Sequence, residues 1–235
     1  MHKTVFLLWA LLLLNVALTH GQARIYVSAI GGSYSMNDLK ALQAELGNQY
    51  RASSGVPLKV VHDFPISLHA ELGMLWGNED RLMGGYTAYT KTEGKMHYAD
   101  YSGEIALTQE LTRIAMGFKA ILALGNKVHF YGKVGLCYTL LDVRVKGVFT
   151  GTAPSEDVES FASIGATLEP GIQWDYPWHR FVLSASGGYE LNFNGQMTYN
   201  ENSQAYLINS KNEKVKANWS GIRAGLTVAF LLRKP

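Results

Sequence analysis

The chain has 235 residues, 47% of them hydrophobic and 17% charged, with 21 lysines and arginines against 19 aspartates and glutamates. That is room for one sizeable domain or two small ones, and the near-even charge, with no basic block, excludes a nucleic-acid footprint. A lone cysteine, Cys137, excludes an internal disulfide and a thiolate metal cluster.

Residues 1–23 read as a separate object. Lys3 is followed by the apolar run TVFLLWALLLLNVAL, and Gly21 and Ala23 place small residues at the third and first positions before a cut ahead of Arg24. This is the layout of a secretory signal peptide, with a cut after Gly21 as the alternative. The expected mature domain is therefore 24–235. No later apolar run reaches the roughly 18 residues of a spanning helix.

From residue 24 onward the hydropathy alternates with a period of two, the signature of strands with two unlike faces. The predicted strands are 24–35, 67–76, 81–91, 110–124, 128–149, 159–175, 180–196 and 217–232. The last is the clearest: Ile222, Ala224, Leu226, Val228 and Phe230 share one face, and Gly221, Arg223, Gly225, Thr227 and Ala229 the other. The connections alternate between short turns, at 77–80, 125–127 and 176–179, and longer stretches, at 36–66, 92–109, 150–158 and 197–216.

The chemistry of the two faces decides the solvent. A soluble barrel buries its large apolar groups and shows its charges. Here the apolar face is continuous and free of charge over the central strands, as lipid requires. The polar face carries small residues and isolated charges, which suits the narrow interior of an eight-stranded barrel. Two aromatic groups are expected as interfacial girdles: Trp76, Trp174, Trp178 and Phe181 near short turns, and Phe149, Phe193, Tyr199 and Trp219 near long loops.

The pattern over residues 24–232 resembles the small outer-membrane β-barrel family, of the OmpA-transmembrane-domain and OmpX type. The run RAGLTVAF is similar to the terminal-strand signal read by the barrel-assembly machinery, with Arg223, Gly225, Val228 and Phe230 at its marked positions. Members usually end on the aromatic residue, whereas five residues follow Phe230 here. The run YADYSGE at 98–104 also looks like a recurring loop sequence of such barrels. The resemblance implies a cell-outer-membrane location, with outer-membrane lipids and the assembly machinery as partners.

The polar face collects Glu71, Glu169 and Glu190 with Arg113, Lys119, Lys133 and Arg223. Such charges in a narrow interior have to pair, so an ion-pair network that plugs the lumen is expected, with a charged pore lining as the alternative. Cys137 falls on the same face. In the first long loop, Ser35 and Asp38 suggest a capping box, and Leu39, Leu42 and Leu46 follow at helical spacing. A short helix near 37–50 is expected to cover the barrel mouth. His97, Asp100 and Ser102 share one outer loop, where nucleophilic catalysis would need serine–histidine contact and an orienting acid.

The reading is an all-β, eight-stranded antiparallel transmembrane β-barrel with a short helix in the first long loop. Its expected role is structural or surface-interacting rather than enzymatic, with no cofactor, no metal site, and a surface ligand that the sequence does not name. A small porin-like channel, a lipid-A-modifying enzyme and a soluble periplasmic binding barrel stay open as alternatives.

Overall fold

A computed structural model describes residues 22–233 except 79, 150 and 152. The apolar leader through Gly21 lies outside the described residues. The elements are β1 (Gln22–Tyr34), α1 (Asn37–Ser54), β2 (Lys59–Asp63), β3 (Ser67–Gly77), β4 (Arg81–Asp100), β5 (Gly103–Ala123), β6 (Val128–Phe149), β7 (Ser155–Trp178), β8 (Phe181–Asn194), β9 (Thr198–Tyr199), β10 (Asn202–Tyr206) and β11 (Gly221–Arg233).

Eight of these strands form a closed ring. Each of β3 to β7 pairs antiparallel with the next, β8 pairs with β11, and β11 returns to β1, which pairs with β3. Closure runs from Ala23 opposite Arg233 to Tyr34 opposite Gly221, so the ring has no free edge along that seam. Three short strands lie outside the ring: β2 pairs with β4, and β9 with β7 and β10.

The two faces divide by size and polarity as the alternation predicts. Phe118, Met116, Leu136, Ile164, Ile222 and Leu226 point outward and are each more than 60% exposed. Arg113, Lys119, Glu71 and Glu190 point inward and are each 3% exposed or less. An uninterrupted apolar exterior of this extent is costly in water and favourable in hydrocarbon. Charge inside and hydrocarbon-like surface outside therefore define a transmembrane barrel.

Tight packing fills the interior. The Tyr26 ring lies over Gly73, where an added Cβ would come within 2.5 Å of it. Tyr131 lies in the same way over Gly171 and Gly188, at 2.4 and 2.5 Å. Glycine on the inner wall thus makes room for the rings that narrow the lumen.

The wall is uneven in height. Strands β4, β5, β6 and β7 have 20, 21, 22 and 24 residues, whereas β1, β3, β8 and β11 have 13, 11, 14 and 13. The expected loop at 92–109 is in fact continued strand: β4 and β5 stay in register from Arg81 opposite Leu122 to Asp100 opposite Gly103. The outward face changes character on the way. Tyr89, Ile114 and Leu140 give way to Lys91, Glu110 and Asp142, which marks the upper edge of the apolar belt. Above it the four strands form a sheet standing clear of the belt, laced by cross-strand pairs Lys91–Glu110 at 2.8 Å and Arg144–Glu156 at 3.2 Å.

The helix forms at Asn37–Ser54, but without the expected capping box. Its N-cap is Met36, in a left-handed conformation with no side-chain cap bond. Ser35 Oγ donates instead to the Asn218 carbonyl, and Asp38 accepts from the Lys216 amide. The flanking 213–220 segment takes these two side chains, so tertiary contact overrides the local motif.

The girdle expectation holds at the short-turn end, where Trp174, Trp178 and Phe181 face outward. It fails for Trp219, which is fully buried inside the mouth, and for Phe149, which sits at the end of the tall sheet. Both misplacements follow from the helix and the extension, which move the true mouth away from the strand ends read in the sequence.

Candidate functional site

The lumen is organised in levels along the barrel axis. Nearest the short turns, Arg24 and His129 each approach Asp175 at 3.5 Å. Gln173 Nε2 donates to Asp175 at 2.7 Å, and its Oε1 accepts from Lys119 at 3.1 Å. The Lys119 ammonium also lies over the rings of Tyr26 and Tyr131, at 4.9 and 5.2 Å.

The middle level centres on Lys133, which pairs with Glu71 at 2.7 Å and Glu169 at 3.4 Å. Tyr26 donates to Glu71 at 2.9 Å and Tyr131 to Glu169 at 2.8 Å. His69 Nε2 lies 3.7 Å from Glu71, and its Nδ1 is hydrogen-bonded to Thr90 at 2.5 Å. Above, Arg223 bridges Glu169 at 2.6 Å and Glu190 at 2.5 Å, and Glu190 also accepts from Arg113.

Six of the seven residues singled out in the sequence thus form one chain: Glu71, Lys133, Glu169, Arg223, Glu190 and Arg113. Lys119 stands apart on Gln173 and the two rings. The sequence reading did not single out Asp175, Gln173, Tyr26 or Tyr131. All four lie on the polar-face parity of their strands, so the signal was present but carried by residue types that also suit an interface.

An apolar lid follows. The Arg113 guanidinium lies over the Trp219 ring at 5.3 Å, and Trp219 Nε1 donates to Thr139 at 3.2 Å. Tyr34 meets Trp219 edge-on at 5.0 Å. Met36, Leu39 and Leu42 of the helix region pack with Leu111, Leu141, Phe161 and Met197 in the same cluster. The helix therefore covers the outer mouth. Cys137 is buried in the wall below it, donating to Asn194 at 3.1 Å.

The terminal-strand positions fall on both faces. Arg223 and Gly225 face inward, Val228 and Phe230 outward, and Phe230 packs on Phe181 at 5.5 Å.

The outer loop residues His97, Asp100 and Ser102 do not form a catalytic relay. Ser102 Oγ donates to Asp100 at 2.6 Å, and His97 Nε2 faces Glu104 at 3.2 Å. The serine proton is committed to the acid rather than to the histidine, the opposite of what activation needs. Asp100 also accepts from the amides of Ser102 and Gly103 and from Tyr98. These bonds, Ser102 first, hold its carboxyl below the usual carboxylate range.

A closed antiparallel ring with an apolar exterior and a charged interior defines a transmembrane β-barrel. No family model matches the sequence, and no curated protein matches it. Among solved structures, the chain is similar to Ail, the attachment invasion locus protein of Yersinia pestis. The identity is 12%, with 91% of this chain and 99% of that one covered and a TM-score of 0.44. It is also similar to Neisserial surface protein A, at 13% identity over 88% and 95% of the two chains with a TM-score of 0.40. The N-terminal β-barrel domain of Pseudomonas aeruginosa OprF follows, at 15% identity over 91% and 100% with a TM-score of 0.32.

Proposed function

We propose that this chain is a non-conducting, non-enzymatic outer-membrane barrel whose working surface is the tall outer sheet and the loops around it. The carrying observation is the occupied lumen: a continuous chain of buried ion pairs beneath an apolar lid. A permeant ion would have to break pairs that compensate one another's desolvation. The charges listed in the sequence thus serve to fix the interior and hold the wall.

The remaining assignments complete this reading. Export through the leader ends in cleavage ahead of Arg24, or after Gly21; the second cut would keep Gln22, which is in register with Gly77 and whose Oε1 accepts from Arg24 at 3.0 Å. The terminal strand, with Arg223, Gly225, Val228 and Phe230, is the segment the barrel-assembly machinery engages before β11 closes on β1. The lipids of the outer membrane surround the apolar belt.

Single-channel recording of the refolded chain in a planar bilayer tests the reading. The expected result is silence from a sample that runs at different positions boiled and unboiled. Steady, reproducible steps would replace it with a small pore.

A further inference from the structure

The tip of the β4–β5 hairpin is the least explained surface of the molecule. Tyr101 stands there 97% exposed, a large ring held out by a tight turn. Asp100 ties that turn through the amides of Ser102 and Gly103, so the ring is presented by an ordered support. Tyrosine is among the residue types enriched at interface hot spots.

Two adjoining clefts flank the tip. One, of about 290 Å³, lies between the turn and the end of β6 and is lined by Tyr101, Glu104, Val148 and Phe149. The other, of about 250 Å³, lies toward the segment after α1 and adds Tyr98 and Val56. Asp100 and Glu104 line both. Among the described residues no lysine or arginine lines either cleft. The four donors on Asp100 are neutral, so its charge is not cancelled, and Glu104 faces the His97 imidazole.

Carboxylates beside aromatic faces, with apolar walls and no lysine or arginine among the described lining residues, are the chemistry of a cation receptor. At about 290 and 250 Å³, each cleft has room for one side chain. A guanidinium matches better than an ammonium, because its plane stacks on a ring while its fork reaches a carboxylate. The surroundings favour a basic partner as well. Across residues 35–66, 91–112, 141–162 and 195–220, 13 acidic residues stand against 10 basic ones.

We propose that the hairpin tip is a docking site for an arginine side chain presented by a partner protein, with Tyr101 stacking on the guanidinium and Glu104 accepting its hydrogen bonds. This rests on the reading that the outer sheet is the working surface, and it names the chemistry of the partner.

The test uses the full mature chain in nanodiscs and three fluorescent peptides, of alternating glycine with arginine, lysine or aspartate. The arginine peptide is expected to bind most tightly and the aspartate peptide not at all. Tyr101→Ala and Glu104→Gln are each expected to weaken arginine-peptide binding about tenfold, the scale of an interface hot spot. Glu159→Gln, which removes an exposed acid elsewhere on the outer surface, is expected to leave it unchanged. Equal affinity for arginine and lysine peptides, or equal loss in all three variants, would reduce the tip to diffuse acidic attraction and overturn the proposal, as would failure of the arginine peptide to bind. The same preparation is recorded for conductance: a silent barrel that ignores the peptide sinks the docking site alone, whereas a conducting one sinks the functional reading beneath it.

Discussion

At the scale of single residues, the lumen separates two lysines that look alike in the sequence. Lys133 holds two carboxylates, whereas Lys119 holds none and rests on an amide and two rings. Removing one partner of a buried pair leaves a charge uncompensated and costs about 3–5 kcal/mol. Lys133→Met is therefore expected to lower unfolding stability in lipid vesicles by about that much, and Lys119→Met by about 1 kcal/mol or less, since it strands no carboxylate. Guanidinium titration of the two variants measures the difference, and equal losses would contradict the chain as drawn. The glycines divide in the same manner. Gly188→Ala drives a methyl against the Tyr131 hydroxyl at 2.5 Å and the Pro170 carbonyl at 2.7 Å, while Gly132→Ala meets nothing within 4 Å. The first is expected to cost about 1–3 kcal/mol and the second under about 0.5 kcal/mol. Which residues point inward was legible because a strand has only two faces. Which inward residues touch was not, because contact across a barrel depends on the stagger of strands far apart in sequence, as between Arg113 and Glu190.

At the scale of elements, alternation located all eight ring strands but not their heights. In β4 it faded after Lys91, where Lys91, Glu93 and Lys95 stand outside and the small Thr92 and Gly94 face inward ahead of Met96. The inner face is apolar again at Met96, Ile105 and Leu107, which pack with Leu46 and Tyr50 of α1, a partner that a strand read by itself does not contain. The consequence can be checked by hydrogen exchange. Amides of 92–99 and 104–111 are expected to exchange as slowly as those of the shorter ring strands, because they sit in a continuous ladder. Exchange at loop rates would return 92–109 to the connecting loop expected from the sequence. The turn itself is expected to respond to acid. Asp100 carries a depressed carboxyl, so its contribution is fully present above the ordinary carboxylate value of 3.8 and is lost as pH falls through the lowered folded value. Protection of the Gly103 amide should therefore persist at pH 5 and disappear on further acidification, and Asp100→Asn should weaken it at every pH.

At the scale of the whole molecule, two barriers stand in series across the lumen, and they are built from different physics. The ion-pair levels are part of the wall and depend on ring closure. The apolar lid depends on a helix joined to the wall by contacts of Leu39 and Leu42, both under 5% exposed. Putting aspartate at both positions, Leu39→Asp with Leu42→Asp, buries unpaired charge in an apolar cluster, which the helix can avoid only by lifting away. The lipid-facing belt is untouched, so insertion and the heat-dependent shift on gels are expected to survive. Arg51, in the last turn of α1, is exposed but held in helix; lifting should let that turn unfold into trypsin, giving a cut that the parent chain resists. Conductance should nevertheless stay absent, because Glu71, Lys133, Glu169, Arg223, Glu190 and Arg113 still fill the lumen below. Silence with a new tryptic cut would assign the seal to the charged levels. Channel steps from the double variant would assign it to the helix, and the barrel would then be a pore held shut by its first outer loop.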